Sequence, residues 1–124
     1  VILDASAILA FLFRETGAEK VTAHLNGSLV SSINWSEVLG RFARLGLPIE
    51  TVDAQLCNVG CRLVGFHRKH ALIAAELLPV TAHLGLSLGD RACLALGIDT
   101  GLPVLTADKA WCTLSLGLDI RSIR

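Results

Sequence analysis

Four carboxylates, Asp4, Glu37, Asp90 and Asp108, fall at the same kind of place: each lies within the first turn of a predicted helix. Singly, each is explained as a helix cap, a role typically contributing ~1 kcal/mol. The set points further. Asp4 and Asp108 follow short apolar runs that read as strands, and Glu37 follows a third such run by a few residues. In a parallel sheet, helix N-termini point to one edge, the edge where ligands bind. Carboxylates gathered there raise one another's pKa and cannot all stay ionised without a compensating cation. A hard divalent ion meets that need, and oxygen-only ligands suit Mg²⁺ or Mn²⁺. The chemistry such a site supports is hydrolysis of a phosphodiester.

The elements that must position these acids follow in order. Val1-Ile2-Leu3 reads as a buried strand and Ala5 to Phe13 as a helix apolar nearly all round, ended by Arg14 and Glu15. Ala18 to Leu25 is a short helix, Asn26-Gly27 a turn, and Ser28 to Ser31 a second strand. Asn34-Trp35-Ser36-Glu37 has capping-box spacing, with Asn34 as cap, and opens a helix closed by Gly46 and Pro48. A second amphipathic helix carries Val52, Leu56, Val59 and Leu63, and Leu63 to Phe66 is also read as a brief third strand. His70 to Leu78 is a helix ended by Pro79. Ser87 to Asp90 repeats the capping-box spacing and launches Arg91 to Ile98, with Asp99-Thr100-Gly101 as a turn. Pro103 to Thr106 is a strand, Asp108 caps a helix over Lys109 to Leu116, and Asp119 to Ile123 alternates like an edge strand. Strands alternating with helices predict an α/β fold, a short parallel sheet covered on both faces, with right-handed crossovers.

At 124 residues the chain is expected to form one domain, residues 1–124, burying roughly two thirds of its unfolded surface. Hydrophobic residues are 52% and mean hydropathy is +0.60, yet no apolar run reaches the ~18 residues of a membrane span. The excess apolar surface is expected to meet a protein partner. Eleven basic and eleven acidic side chains cancel, which excludes nucleic-acid binding by a broad positive field and leaves local or metal-assisted contact. Cys57, Cys61, Cys93 and Cys112 lie scattered in apolar segments with no secretory signal before the first strand, so reduced thiols and a cytoplasmic location are expected. No methionine occurs, so the sequence is expected to begin after the translated start.

Three stretches, Val1-Ile2-Leu3-Asp4-Ala5-Ser6-Ala7, Leu86 to Leu96 and Val104 to Trp111, closely resemble the PIN-domain ribonucleases and, within them, the VapC toxins of bacterial toxin–antitoxin pairs. The resemblance follows the whole chain in length and element order, with Leu45 to His83 matching loosely. It implies a PIN-like three-layer sandwich, a four-acid site binding Mg²⁺ or Mn²⁺, and cleavage of RNA. The family's acids match Asp4, Glu37, Asp90 and Asp108, and its supporting hydroxyls match Ser6 and Thr106. Asp4 is then the central metal ligand, with Asp90 and Asp108 completing the shell directly or through water. Glu37 either ligates metal or orients the attacking water as general base; sequence does not separate these. The implied partners are a VapB-like antitoxin crossing the active-site groove and a second copy of the chain.

Other residues carry weaker signals. Arg91 points about 100° away from Asp90 on a helix; phosphate contact is one reading, and a solvated or partner-facing arginine is favoured over it. Arg14, Arg41 and Arg44 are candidates for local RNA or partner contact, with solvated faces favoured. Cys57 and Cys61, one turn apart with His67 and His70 following, invite zinc; a helical apolar pattern favours cysteine as a small core residue. His24 and His83 stand isolated, and Trp35 and Trp111 are expected to anchor packing. The rival enzyme class is an aspartyl phosphotransferase using Asp4, disfavoured because Ser6 stands where haloacid-dehalogenase phosphatases keep a second acid. The non-enzyme rival is an interaction module that keeps the acids only as caps.

Overall fold

The computed structural model describes residues 1–124. Five strands, β1 (Ile2–Leu3), β2 (Leu29–Ser31), β3 (Arg62–Val64), β4 (Val104–Thr106) and β5 (Ile120–Ser122), form one sheet in the order β3-β2-β1-β4-β5. Every pairing is parallel. The helices are α1 (Ala5–Leu12), α2 (Ala18–Thr22), α3 (Ser32–Arg44), α4 (Ile49–Asn58), α5 (Arg68–Thr81) and α6 (Leu88–Thr100).

Strands this short succeed because both faces are covered. Successive side chains point to opposite faces of a sheet. Leu3 and Leu105 accordingly join the core beneath α1 to α4, and their neighbours Ile2 and Val104 join the core beneath α5 and α6. The expected α/β three-layer sandwich is thus built by alternation within four residues. Chain order reverses between β1 and β4, which creates the crevice where parallel sheets bind ligands.

Several boundaries differ from the sequence reading, each for a local reason. Ser31, the last residue of β2, caps α3 by accepting from the Ile33 N–H, so the helix begins at Ser32 and Asn34 is not its cap. Glu37 therefore lies beyond the first turn, unlike the other three acids. Pro79 sits inside α5 rather than ending it. Its ring is exposed, and the final turn is held by Leu77 and Thr81, both buried, with Thr81 Oγ1 donating to the Leu77 carbonyl at 2.7 Å. Helix α6 runs through Asp99 and Thr100, leaving Gly101 alone as a left-handed cap at φ 71°. Helix α2 stops at Thr22, and β3 is shifted to Arg62–Val64.

The segment after Asp108 is a 3₁₀ turn over Lys109–Thr113, not a helix to Leu116. Buried Trp111 pins it, and the following residues must run back along the sheet so that β5 can pair parallel with β4. Arg91 is not solvated: its Nη1 donates to the Ala74 carbonyl at 2.8 Å, tying α6 to α5. Of the cysteine pair, Cys61 is buried with the Ser28 hydroxyl against its sulfur, whereas Cys57 is exposed.

His70 provides the other α5–α6 tie. Its Nδ1 accepts from the His67 N–H at 3.1 Å, which leaves Nε2 to donate to Asp99 at 2.9 Å. Hydrogen bonds to Lys69 and His70 hold the Asp99 carboxyl below its ordinary value. Because His70 is buried, His70→Ala is expected to destabilise by about 1–3 kcal/mol, read as a lower urea midpoint with an unchanged slope. An unchanged midpoint would show that this tie adds nothing.

Candidate active site

Asp4 follows β1 and caps α1, its Oδ1 accepting from the Ala7 N–H at 2.9 Å. Only 3% of it is exposed. Two hydroxyls surround the carboxylate: Ser6 Oγ donates at 2.7 Å, and Thr106 Oγ1, from the end of β4, donates to Oδ2 at 2.9 Å. Each hydroxyl also accepts a backbone N–H from the loop beyond β4. Ala107 gives its proton to Ser6 Oγ at 2.9 Å, and Asp108 gives its own to Thr106 Oγ1 at 3.0 Å. Ser6 and Thr106 thus join the start of α1 to the loop that carries Asp108.

Asp90 takes the third helical position of α6 in a true capping box. Its Oδ2 accepts from the Ser87 N–H at 2.9 Å, and Ser87 Oγ accepts from the Asp90 N–H at 3.2 Å. Asp108 Oδ1 accepts from the Ala110 N–H at 3.0 Å. In both residues one oxygen is spent on the cap and the other has no protein hydrogen bond. Glu37 has no capping role at all. It is exposed on α3, with its carboxylate lying on Gly89 at the start of α6, where a Cβ would stand 1.6 Å from Oε1.

Charge couples these groups. Burial pushes the Asp4 carboxyl up to about 6, against the pull of its hydrogen bonds, with Asp90 adding to the rise. Glu37 is raised by partial burial and then by Asp90, against a hydrogen bond from Asn34. Cys93, buried one turn after Asp90, is raised well above its ordinary value by burial and by Asp4, Asp90 and Glu37 together. Asp4, Glu37 and Asp90 therefore share one field. Asp108 is tied to the group through Thr106 and is not among the charges that move Asp4.

No lysine, arginine or histidine forms an ion pair with any of the four acids; the chain's ion pairs involve Asp99 and Asp119. That uncompensated, all-oxygen donor set fits a hard divalent cation. Acid, histidine and cysteine side chains do not converge in threes as a ready-made shell. Mg²⁺ keeps several of its waters and takes as few as one or two carboxylates from a protein.

Two residues have roles in this site that the sequence reading did not give them. Asn34, 1% exposed, donates from Nδ2 to the Gly89 carbonyl at 2.9 Å, clasping α3 to the start of α6. Its Oδ1 is buried without a partner, a destabilising feature that an apolar residue would avoid. Gly89 supplies the bare surface on which Glu37 rests. Only three-dimensional contact reveals either role.

The PIN domain family model matches residues 1–115. Among curated proteins, none matches the sequence. Among solved structures, a chain of a toxin–antitoxin complex from Klebsiella pneumoniae is similar at a TM-score of 0.79 and 15% identity, covering 100% of this chain and 98% of that one. A chain of DNA-bound VapBC from Salmonella typhimurium gives 0.75 and 16%, covering 99% and 97%. One of FitAcB from Neisseria gonorrhoeae gives 0.72 and 18%, covering 98% and 96%. At such identities the likeness speaks for the fold.

Proposed function

The chain belongs to the PIN-domain family, and from that premise we propose that it is a metal-dependent endoribonuclease, the toxin of a type II toxin–antitoxin pair, acting as one domain over residues 1–124. PIN domains are generally nucleases that use divalent metal ions. The observation that carries the reading is the set of four carboxylates without a cationic partner at the switch point of the sheet. Asp4 is the central ligand, with the cap-free oxygens of Asp90 and Asp108 facing the ion directly or through water. A bound Mg²⁺ or Mn²⁺ would bring the pKa of its water towards neutrality and withdraw charge from the phosphate.

The chain's own groups do the rest. Ser6 and Thr106 hold the Asp4 carboxylate in one orientation, so its ligand geometry is set before any ion arrives. Glu37, with its raised pKa and no capping duty, accepts the proton of the attacking water as general base or ligates metal beside Asp4. Attack in line with the departing 3′ oxygen leaves a 5′ phosphate. The phosphotransferase reading is disfavoured because Ser6 stands where such phosphatases keep the second acid that serves as acid and base.

The proposed partners are an antitoxin and a second copy of this chain. Toxin–antitoxin complexes among the structural neighbours support the first. Exposed Leu72, Leu78 and Val80 on α5 are compatible with either. No helix is long and apolar enough to cross a membrane, and we place the activity in the cytoplasm.

Purified protein incubated with mixed structured and single-stranded RNAs is expected to cleave with Mg²⁺ or Mn²⁺, to stop with EDTA, and to leave 5′ phosphates. Absence of cleavage of every RNA, together with no calorimetric Mn²⁺ binding, would leave Asp4, Asp90 and Asp108 as helix caps and favour an interaction module.

A further inference from the structure

Beside the acids lie two hollows that share a wall. One, about 630 Å³, is bordered by Ser6 and Asp108 of the candidate site and by Lys109, Arg124 and Arg41. The other, about 380 Å³, is bordered by Glu37, Arg44 and again Arg41. Leu9 and Arg41 line both, so the hollows meet along the flank of the acidic cluster. Each falls within the ~300–1,000 Å³ range typical of ligand pockets.

The four cations around these hollows have no carboxylate partner, although the chain as a whole is electrically balanced. Glu15 lines the larger hollow but pairs with none of them. Arg41 is held by an aromatic contact instead: its guanidinium lies 5.5 Å from the centre of the Phe13 ring, which stacks on Phe42 at 5.1 Å with a 5° interplanar angle. An aryl face positions a guanidinium without neutralising it. Arg41 thus stands without a carboxylate partner on the wall the hollows share, with Glu37 lining one and Asp108 the other.

We propose that the two hollows form one track for the sugar–phosphate backbone of a single-stranded RNA, with Arg41 gripping the phosphate next to the one cut. Arg44 holds the strand on the Glu37 side, and Lys109 and Arg124 hold it on the Asp108 side. This inference rests on the ribonuclease reading and specifies its substrate. A groove with a few cations along it tracks one backbone, which is how single strands are held without reading their sequence.

The test is fluorescence anisotropy of a labelled single-stranded RNA with the Asp4→Asn protein in Mg²⁺, titrated over a range of KCl concentrations. Arg41→Gln, Arg44→Gln and Lys109→Gln, each added to that background, are expected to weaken binding and to flatten the log–log salt slope by about 0.7 per lost phosphate contact. Arg41→Lys should restore the slope, and Arg68→Gln, on the opposite layer, should leave it unchanged. All of these positions are exposed, and melting curves check that each variant is folded. Slopes indifferent to Arg41 and Lys109, or tighter binding of duplex than of single strand, would overturn the track while cleavage by the wild type left the nuclease reading standing. Charge-dependent binding without any cleavage by the wild type would do the reverse.

Discussion

Asp4→Asn is expected to lower metal-dependent RNA cleavage at least about a hundredfold, the scale set by losing a few kcal/mol of charge stabilisation, and yet to make the metal-free protein more stable. The two effects have one cause. A carboxylate is held where burial and Asp90 oppose its ionisation, so at neutral pH the metal-free fold carries a charge it would rather protonate. Asparagine keeps the geometry. Its oxygen can still accept from the Ala7 N–H, and its amide can donate to Ser6 Oγ or Thr106 Oγ1, each of which takes one backbone N–H and retains a lone pair. Aspartate and asparagine are equally good caps.

A rise from 3.8 to about 6 corresponds to roughly 3 kcal/mol at pH well above 6, an upper bound for what asparagine recovers. The sign follows from proton counts. Between the two values the folded protein holds a proton at Asp4 that the unfolded chain has lost, so this contribution to stability falls as pH rises from about 4 to about 6. Urea unfolding in EDTA should therefore show wild type and Asp4→Asn nearly equal below pH 4, with the variant ahead by about 1–3 kcal/mol at pH 8. Added Mg²⁺ or Mn²⁺ should close the gap by stabilising wild type more, as a ligand bound only by the folded state does. A variant less stable than wild type at pH 8 without metal would show that the buried charge is already satisfied by the protein.

What sequence could announce was whatever is written in neighbouring residues. Asp4, Asp108 and the Ser87–Asp90 box were legible because a cap is a contact across two or three positions, and the sheet was legible because strand and helix periods alternate. Asn34 and Glu37 were misplaced because Ser31 and Ser32 also suit the start of a helix, and only the end of β2 decides among them. The run of α5 past Pro79 depends on packing against α6. Arg91 looked free because its acceptor, the Ala74 carbonyl, lies on another helix. Gly89 was read only as a link in a capping box. What the sequence does not announce is that Gly89 leaves bare the spot where the Glu37 carboxylate rests.

Gly89→Ala therefore separates activity from folding most sharply. Gly89 is in the first turn of α6 and has no positive φ, so alanine fits its backbone and improves helix propensity by up to ~1 kcal/mol. The three atoms nearest the added methyl all belong to the tip of Glu37: Oε1 at 1.6 Å, Cδ at 2.6 Å and Oε2 at 3.1 Å. A flexible side chain can swing aside, so the fold should accept the change with a melting temperature equal to wild type or slightly higher. The carboxylate cannot stay where it is. Displacement of a catalytic group by about 1 Å can cost a hundredfold, so cleavage should fall by roughly 10- to 100-fold, approaching the loss caused by Glu37→Gln. Combining the two substitutions should cost little more than Glu37→Gln alone, since both act through one carboxylate. Full activity in Gly89→Ala would remove Glu37 from the chemistry and leave Asp4, Asp90 and Asp108 to carry it. A loss that multiplied that of Glu37→Gln would instead point to Asp90, the next residue on α6, as the group the methyl had moved.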